Sequence, residues 1–91
     1  MKEQLIQSAI KKELTNNGWL VIKIIMASVS GVPDLMAMKD GKTVFIEVKN
    51  EIGKLSAIQE YRIKEIRNVG IEVIVARSKD DIAMLIYPIQ K

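Results

Sequence analysis

Asp40-Gly41 is the dipeptide that most constrains how this chain can fold. It separates two apolar runs, Leu35 to Met38 and Thr43 to Lys49, and Asp-Gly in that setting favours a two-residue type I′ turn with both central residues at positive φ. Such a turn fixes register as well as direction: Lys39 faces Lys42, Met38 faces Thr43 and, counting outward, Asp34 faces Glu47. Directly opposed residues hold their Cβ atoms ~4.5–5.5 Å apart on one face of a sheet, where two like charges destabilise the pairing unless something cationic lies between them. Side chains alternate along a strand, so Glu47 and Lys49 share that face while Val44, Ile46 and Val48 point the other way, into a core. Asp34, Glu47 and Lys49 thus form one cluster.

The rest of the chain supplies layers to cover this hairpin. From Lys2 to Asn16, Ile6, Ile10 and Leu14 recur every fourth residue with Lys11 and Lys12 turned away, an amphipathic helix closed by Asn17-Gly18. Trp19 to Met26 is dense in β-branched residues and reads as a buried strand, followed by a small-residue loop from Ala27 to Gly31. Gly53 breaks the chain after the hairpin, and Ser56 followed by Gln59 forms a capping-box pattern that starts a second helix, ending at about Asn68 before Gly70. Ile71 to Ala76 is another strand, and a strand-helix-strand unit of this length implies parallel pairing through a right-handed crossover. Ser78-Lys79-Asp80-Asp81 opens a short terminal helix that carries Ile82, Leu85 and Ile86 and ends near Pro88. The order is that of an α/β fold, a mixed four-stranded sheet flanked by helices.

What the acid cluster can do is narrowed by what the chain lacks. It contains no histidine and no cysteine, which removes catalytic triads, imidazole general bases, thiolate zinc sites and disulfides. Hydrolysis must then rest on carboxylates, lysine and a hard metal. Paired acid oxygens suit Mg²⁺, which takes oxygen ligands at about 2.0–2.1 Å and keeps several waters for its substrate; Mn²⁺ is expected to substitute. A metal that acidifies water and neutralises a phosphate oxygen hydrolyses phosphodiesters without a histidine. Lys49 would orient or help deprotonate the attacking water, or stabilise charge in the transition state. With 14 basic and 11 acidic residues the net charge is +3, which favours an anionic partner only weakly. No apolar run reaches the ~18 residues that span a bilayer, and no signal-like segment follows the start, so a cytoplasmic protein without membrane contact is expected. At 91 residues, 48% of them hydrophobic and 27% charged, the chain reads as one domain over residues 1–91.

The segments Gly31-Val32-Pro33-Asp34, Phe45-Ile46-Glu47-Val48-Lys49 and Gly53-Lys54-Leu55-Ser56, with Gln59 beyond, resemble the PD-(D/E)XK nuclease superfamily, and within it the virus-type replication-repair nuclease (VRR-Nuc) domain. The resemblance runs from Glu3 to the terminal strand. It implies a restriction-endonuclease-like core, divalent-metal-dependent DNA cleavage, and metal ligation by Asp34, Glu47 and the backbone carbonyl of Val48. It also places an acid on the first helix, where Glu3 matches. Glu3 falls in the inward stripe with Ile6, Ile10 and Leu14, and serves either the metal or, as a first-turn glutamate, the helix dipole. Gln59 is either a cap partner or, as the resemblance implies, a site residue contacting Lys49, water or phosphate. Lys54, Arg62, Lys64 and Arg67 are candidates for contacts to DNA phosphates, with plain solubilisation as the alternative. The loop Ala27-Ser28-Val29-Ser30 carries no basic residue, so any phosphate contact that relatives make there is missing or comes from elsewhere.

The C-terminal segment offers Ile82, Met84, Leu85, Ile86, Tyr87 and Ile89, more than one face of a short helix hides in a chain of this size, which points to a second subunit. The similarity to stand-alone viral members, which resemble dimeric Holliday junction resolvases, implies the same; a viral source would put the protein in the cytoplasm of a bacterial host. A two-fold dimer presents paired sites to the symmetric phosphates of a four-way junction. The expected activity is that of a metal-dependent endonuclease acting as a homodimer on branched or structured DNA. Two alternatives stay open: a nicking or flap nuclease of the same superfamily, and a DNA-binding module whose nuclease core is catalytically silent.

Overall fold

The computed structural model describes residues 1–87. Helix α1 (Glu3–Asn16) buries Ile6, Ile10 and Leu14, the stripe set by their spacing, and gives way to Gly18 at a φ of 89°. A four-stranded sheet follows in the order β1 (Leu20–Lys23), β2 (Leu35–Lys39), β3 (Lys42–Val48), β4 (Glu72–Ala76). The first three strands run antiparallel and β4 joins β3 in parallel, with helix α2 (Ala57–Asn68) as the crossover. The β2-β3 turn has the expected form: Asp40 and Gly41 take φ values of 50° and 80°, the signature of a type I′ loop, and Lys39 pairs with Lys42 and Met38 with Thr43. A short 3₁₀ turn (Lys79–Ile82) leads into helix α3 (Ala83–Ile86); Pro88, near which the terminal helix was expected to end, lies outside the described residues.

The two faces of the sheet are covered differently. On one, Leu35, Ala37, Val44, Ile46 and Val48 pack with Ile6, Ile10, Leu14, Trp19, Ile82 and Leu85 into the main core. On the other, α2 lies over the β3-β4 half and buries Ile63 and Val73. Among the described residues no helix covers the β1-β2 half of that second face, where Leu20 and Ile22 are exposed and Met36 and Met38 partly so.

One expectation needs correction. The segment Trp19 to Met26 is not a buried strand: only Leu20–Lys23 is extended, at the sheet edge, and Leu20 and Ile22 are 60% and 44% exposed. A β-branched run signals extended backbone, not how many layers will cover it, and α2 is spent on the opposite half of the sheet. The apolar residues of the C-terminal segment divide between core and surface. Ile82 and Leu85 sit in the chain's own core, Met84 and Tyr87 are exposed, and Ile89 lies outside the described residues. Further exposed apolar residues are Leu20 and Ile22, which pair with Met38 and Met36, and Ile25 and Met26 beyond the strand.

Candidate active site

The hairpin register brings the two acids together. The last β2-β3 pair is Leu35 with Ile46, so Asp34 and Glu47 stand opposite one another one step further out. Asp34 is held from both sides. Its Oδ2 accepts a hydrogen bond from the Val48 N–H at 2.8 Å, and its backbone carbonyl accepts from the Ile24 N–H at 2.8 Å. The chain entering Asp34 is pressed onto α2: a Cβ at Gly31 would lie 2.6 Å from the Ile58 carbonyl oxygen, so only glycine fits, and the φ of 79° asks for it as well. Arg62 holds the same loop by donating from Nε to the Ser30 carbonyl at 2.9 Å.

Glu47 is a carboxylate in the position of a core residue, 1% exposed. Its Oε2 is 3.7 Å from the Lys49 ammonium and accepts from Gln59 Nε2 at 3.3 Å. Its Oε1 is buried with no hydrogen-bond partner among the described residues. Burial and the facing Asp34 push its pKa up from 4.5 to about 7; Lys49 pulls it back, and Glu3 adds a smaller push upward. Buried polar atoms are almost always satisfied, so the bare Oε1 beside a second carboxylate is the strongest chemical irregularity in the molecule. A cation bound between the acids would satisfy it.

Of the two readings of Gln59, the structure shows the cap, and the free end of the amide meets Glu47, not Lys49. The Gln59 Oε1 accepts from the Ser56 N–H at 2.9 Å while its own N–H donates to Ser56 Oγ at 3.2 Å, completing a capping box at the start of α2. That leaves Nε2 facing Glu47. The cap thereby decides which end of the amide the carboxylate meets. Glu3, half-buried on α1, reaches the turn after β3, where its Oε2 accepts from the Asn50 N–H at 3.4 Å.

The VRR-NUC domain family profile matches residues 1–80. The chain belongs to the VRR-NUC family. A solved structure described as a VRR_NUC domain superposes with a TM-score of 0.83 at 30% sequence identity, covering 97% of each chain. No curated protein matches significantly. The VRR-NUC domain is a nuclease domain of the PD-(D/E)XK type, and such domains are generally dependent on a divalent metal.

The residues present fit that requirement. Among the described residues no group of three or more acidic, histidine or cysteine side chains forms a ready-made cage, but Mg²⁺ is characteristically held by one or two carboxylates with the remaining positions left to water and phosphate. Asp34, the unpartnered Oε1 of Glu47 and the Val48 carbonyl at the end of β3 are the oxygens available.

The proposed phosphate contacts divide in two. Lys54 and Lys64 have exposed side chains. Arg62 and Arg67 have internal work: Arg62 binds Ser30 and the Glu65 carboxylate, and Arg67 donates to the Val73 carbonyl at 2.7 Å. The sequence reading missed Asn50 and Arg77. Asn50 Oδ1 accepts from the N–H groups of Ile52 and Gly53, and Arg77 Nη1 donates to the carbonyls of Asn50 and Gly53. An Asn three residues before a Gly is a turn signal that was there to be read; a lone arginine after a strand carries none.

Proposed function

We propose that this VRR-NUC chain is a divalent-metal-dependent endonuclease that hydrolyses phosphodiester bonds in structured DNA as a homodimer resembling the Holliday junction resolvases. One observation carries the reading: a fully buried Glu47 with one oxygen unpartnered, facing Asp34 and flanked by Lys49. A silent DNA-binding module would gain nothing from this arrangement, since opposed carboxylates destabilise a sheet unless a cation joins them. The cation is Mg²⁺, with Mn²⁺ as a substitute. When bound, it supplies Lewis acidity toward a phosphate oxygen and toward water.

The chain's own residues do the rest. Asp34, Glu47 and the Val48 carbonyl would hold the cation. Lys49, kept within 3.7 Å of Glu47, presents an ammonium to the attacking water or to the charge that builds on the phosphate in the transition state. Gln59 braces Glu47 Oε2, so that Oε1 remains the free donor. Glu3 adds negative charge from α1 and ties that helix to the turn after Lys49. Lys54 and Lys64, with the exposed parts of Arg62 and Arg67, meet the DNA backbone.

The bare β1-β2 face supports the homodimer. Leu20, Ile22, Ile25 and Met26 form an exposed apolar strip on the sheet half next to the acids, and contiguous apolar patches of this kind mark association surfaces. The experiment is a cleavage panel of single-stranded, duplex, flap and four-way-junction DNA with Mg²⁺ or Mn²⁺, alongside light scattering at micromolar protein concentration. Paired symmetric cuts on the junction by a dimer are expected. A monomer that makes single cuts would leave a nicking or flap nuclease, and no cleavage of any substrate would overturn the reading.

A further inference from the structure

We infer that Arg77 is a positioning residue for Lys49, acting through the turn at residues 50–53; the inference rests on the nuclease reading above. The turn follows Lys49 directly. It is folded on itself by Asn50, whose Oδ1 accepts from the Ile52 N–H at 3.2 Å and the Gly53 N–H at 2.6 Å. Its two end carbonyls, those of Asn50 and Gly53, both accept from one guanidinium nitrogen, Arg77 Nη1, at 2.8 and 2.6 Å. Arg77 follows β4 immediately, and its backbone is fixed there: the preceding Ala76 carbonyl accepts from the Lys49 N–H at 3.0 Å, and the Arg77 N–H donates to Asp81 Oδ2 at 2.8 Å. The guanidinium therefore bolts the turn to the rigid end of the sheet.

The turn in turn shapes the site. A Cβ at Gly53 would lie 2.9 Å from Asn50 Oδ1, 3.2 Å from Glu3 Oε2 and 3.5 Å from Lys49 Cδ. A side chain at Gly53 would therefore press on the Lys49 stem and the Glu3 carboxylate, which lie beside it, and the Asn50 N–H donates to that same Glu3 oxygen. Lys49 has a long, rotamer-rich stem, and its ammonium is useful only if that stem is held. The stem leaves the sheet at the residue before the turn and lies beside Gly53, and Arg77 holds both ends of that turn in place. A part-buried charged donor shared by two carbonyls also leaves both without that partner when it is removed.

Steady-state kinetics on the DNA substrate, with Mn²⁺ binding followed separately, test this. Arg77→Gln is expected to lower kcat about 10- to 100-fold, the scale of an ångström-sized misplacement of a catalytic group, with KM for DNA and Mn²⁺ affinity within about twofold of wild type. Arg77→Lys, which keeps donors, should recover part of the loss. In a Lys49→Ala background, Arg77→Gln should cost little further, because residues acting as a unit are non-additive. Losses that multiply, or a rise in KM at unchanged kcat, would overturn the inference; the latter would make Arg77 a DNA contact. If Arg77→Gln does not fold, Gly53→Ala disturbs the turn from the other side and must show the same pattern. A wild-type protein that cleaves nothing overturns the nuclease reading itself, and an active wild type with additive variants overturns only the role of Arg77.

Discussion

On the α1 face of the sheet, Leu35, Ala37, Val44 and Ile46 meet Ile6, Ile10 and Leu14 with scarcely any accessible surface. On the α2 face, one of the most deeply buried side chains is a carboxylate with an oxygen unpaired. The same strand, β3, serves both: Val44, Ile46 and Val48 complete the first layer, and Glu47, between them in sequence, enters the second. Period-two alternation lets one strand be half core and half site. The first face stabilises the fold, and on the proposed reading the second gives up stability to set two carboxylates together for a cation.

The widest separation between the two faces is expected from substitutions of similar size. Glu47→Gln or Asp34→Asn should reduce cleavage by about 10³-fold or more, equivalent to about 4 kcal/mol of transition-state stabilisation, without unfolding the protein. Leu14→Ala should cost about 2–5 kcal/mol of stability while each folded molecule retains its activity. Chemical unfolding and cleavage assays on the same samples would decide. Activity surviving in Glu47→Gln, or in excess EDTA, breaks the comparison.

A smaller effect is expected with pH. The Glu47 carboxyl is pushed up from 4.5 to about 7, so between those values the folded state holds a proton that the unfolded state has released. Stability of the metal-free protein should therefore fall as pH rises through this window, by on the order of 3 kcal/mol, and level off above it. In Glu47→Gln that decline should be absent. A flat wild-type profile between pH 4.5 and 7 would mean that Glu47 carries no such penalty.

Gln59 separates its two roles by one atom exchange. Gln59→Glu keeps an oxygen for the Ser56 N–H but removes the donor to Glu47 and adds a like charge. Helix capping, worth about 1 kcal/mol, should persist while cleavage falls. Gln59→Ala should lose the contact to Glu47 and the Ser56 N–H half of the capping box, while Ser56 Oγ still accepts from the backbone N–H of residue 59. If the two variants unfold at the same denaturant concentration, the cap reading fails.

Much of this was legible because the decisive information is local. A two-residue turn fixes register, and register alone set Asp34 opposite Glu47 and turned Lys49 to the same side. Ser56 and Gln59 announced the capping box in the same way. What was not legible depends on long-range packing. The apolar density of Trp19 to Met26 could not reveal that β1 is an edge strand beneath an uncovered face. The spacing of Ile82, Leu85 and Ile86 marked the terminal helix's apolar set, but not that it would join the core formed by α1 and the sheet. Arg77 meets Asn50 and Gly53 across 27 and 24 residues, a distance at which single-sequence patterns carry no signal.

The central claim is that Glu47 is buried at a cost in order to hold a divalent cation. Its most direct test is equilibrium unfolding of the wild type and Glu47→Gln at pH 8, in chelator and then in Mg²⁺ or Mn²⁺. In chelator, Glu47→Gln should be the more stable protein. A cation at about 100 times its Kd should stabilise the wild type by about 2.7 kcal/mol and leave Glu47→Gln unchanged. A wild type that is the more stable of the two in chelator, and indifferent to either cation, would contradict the account.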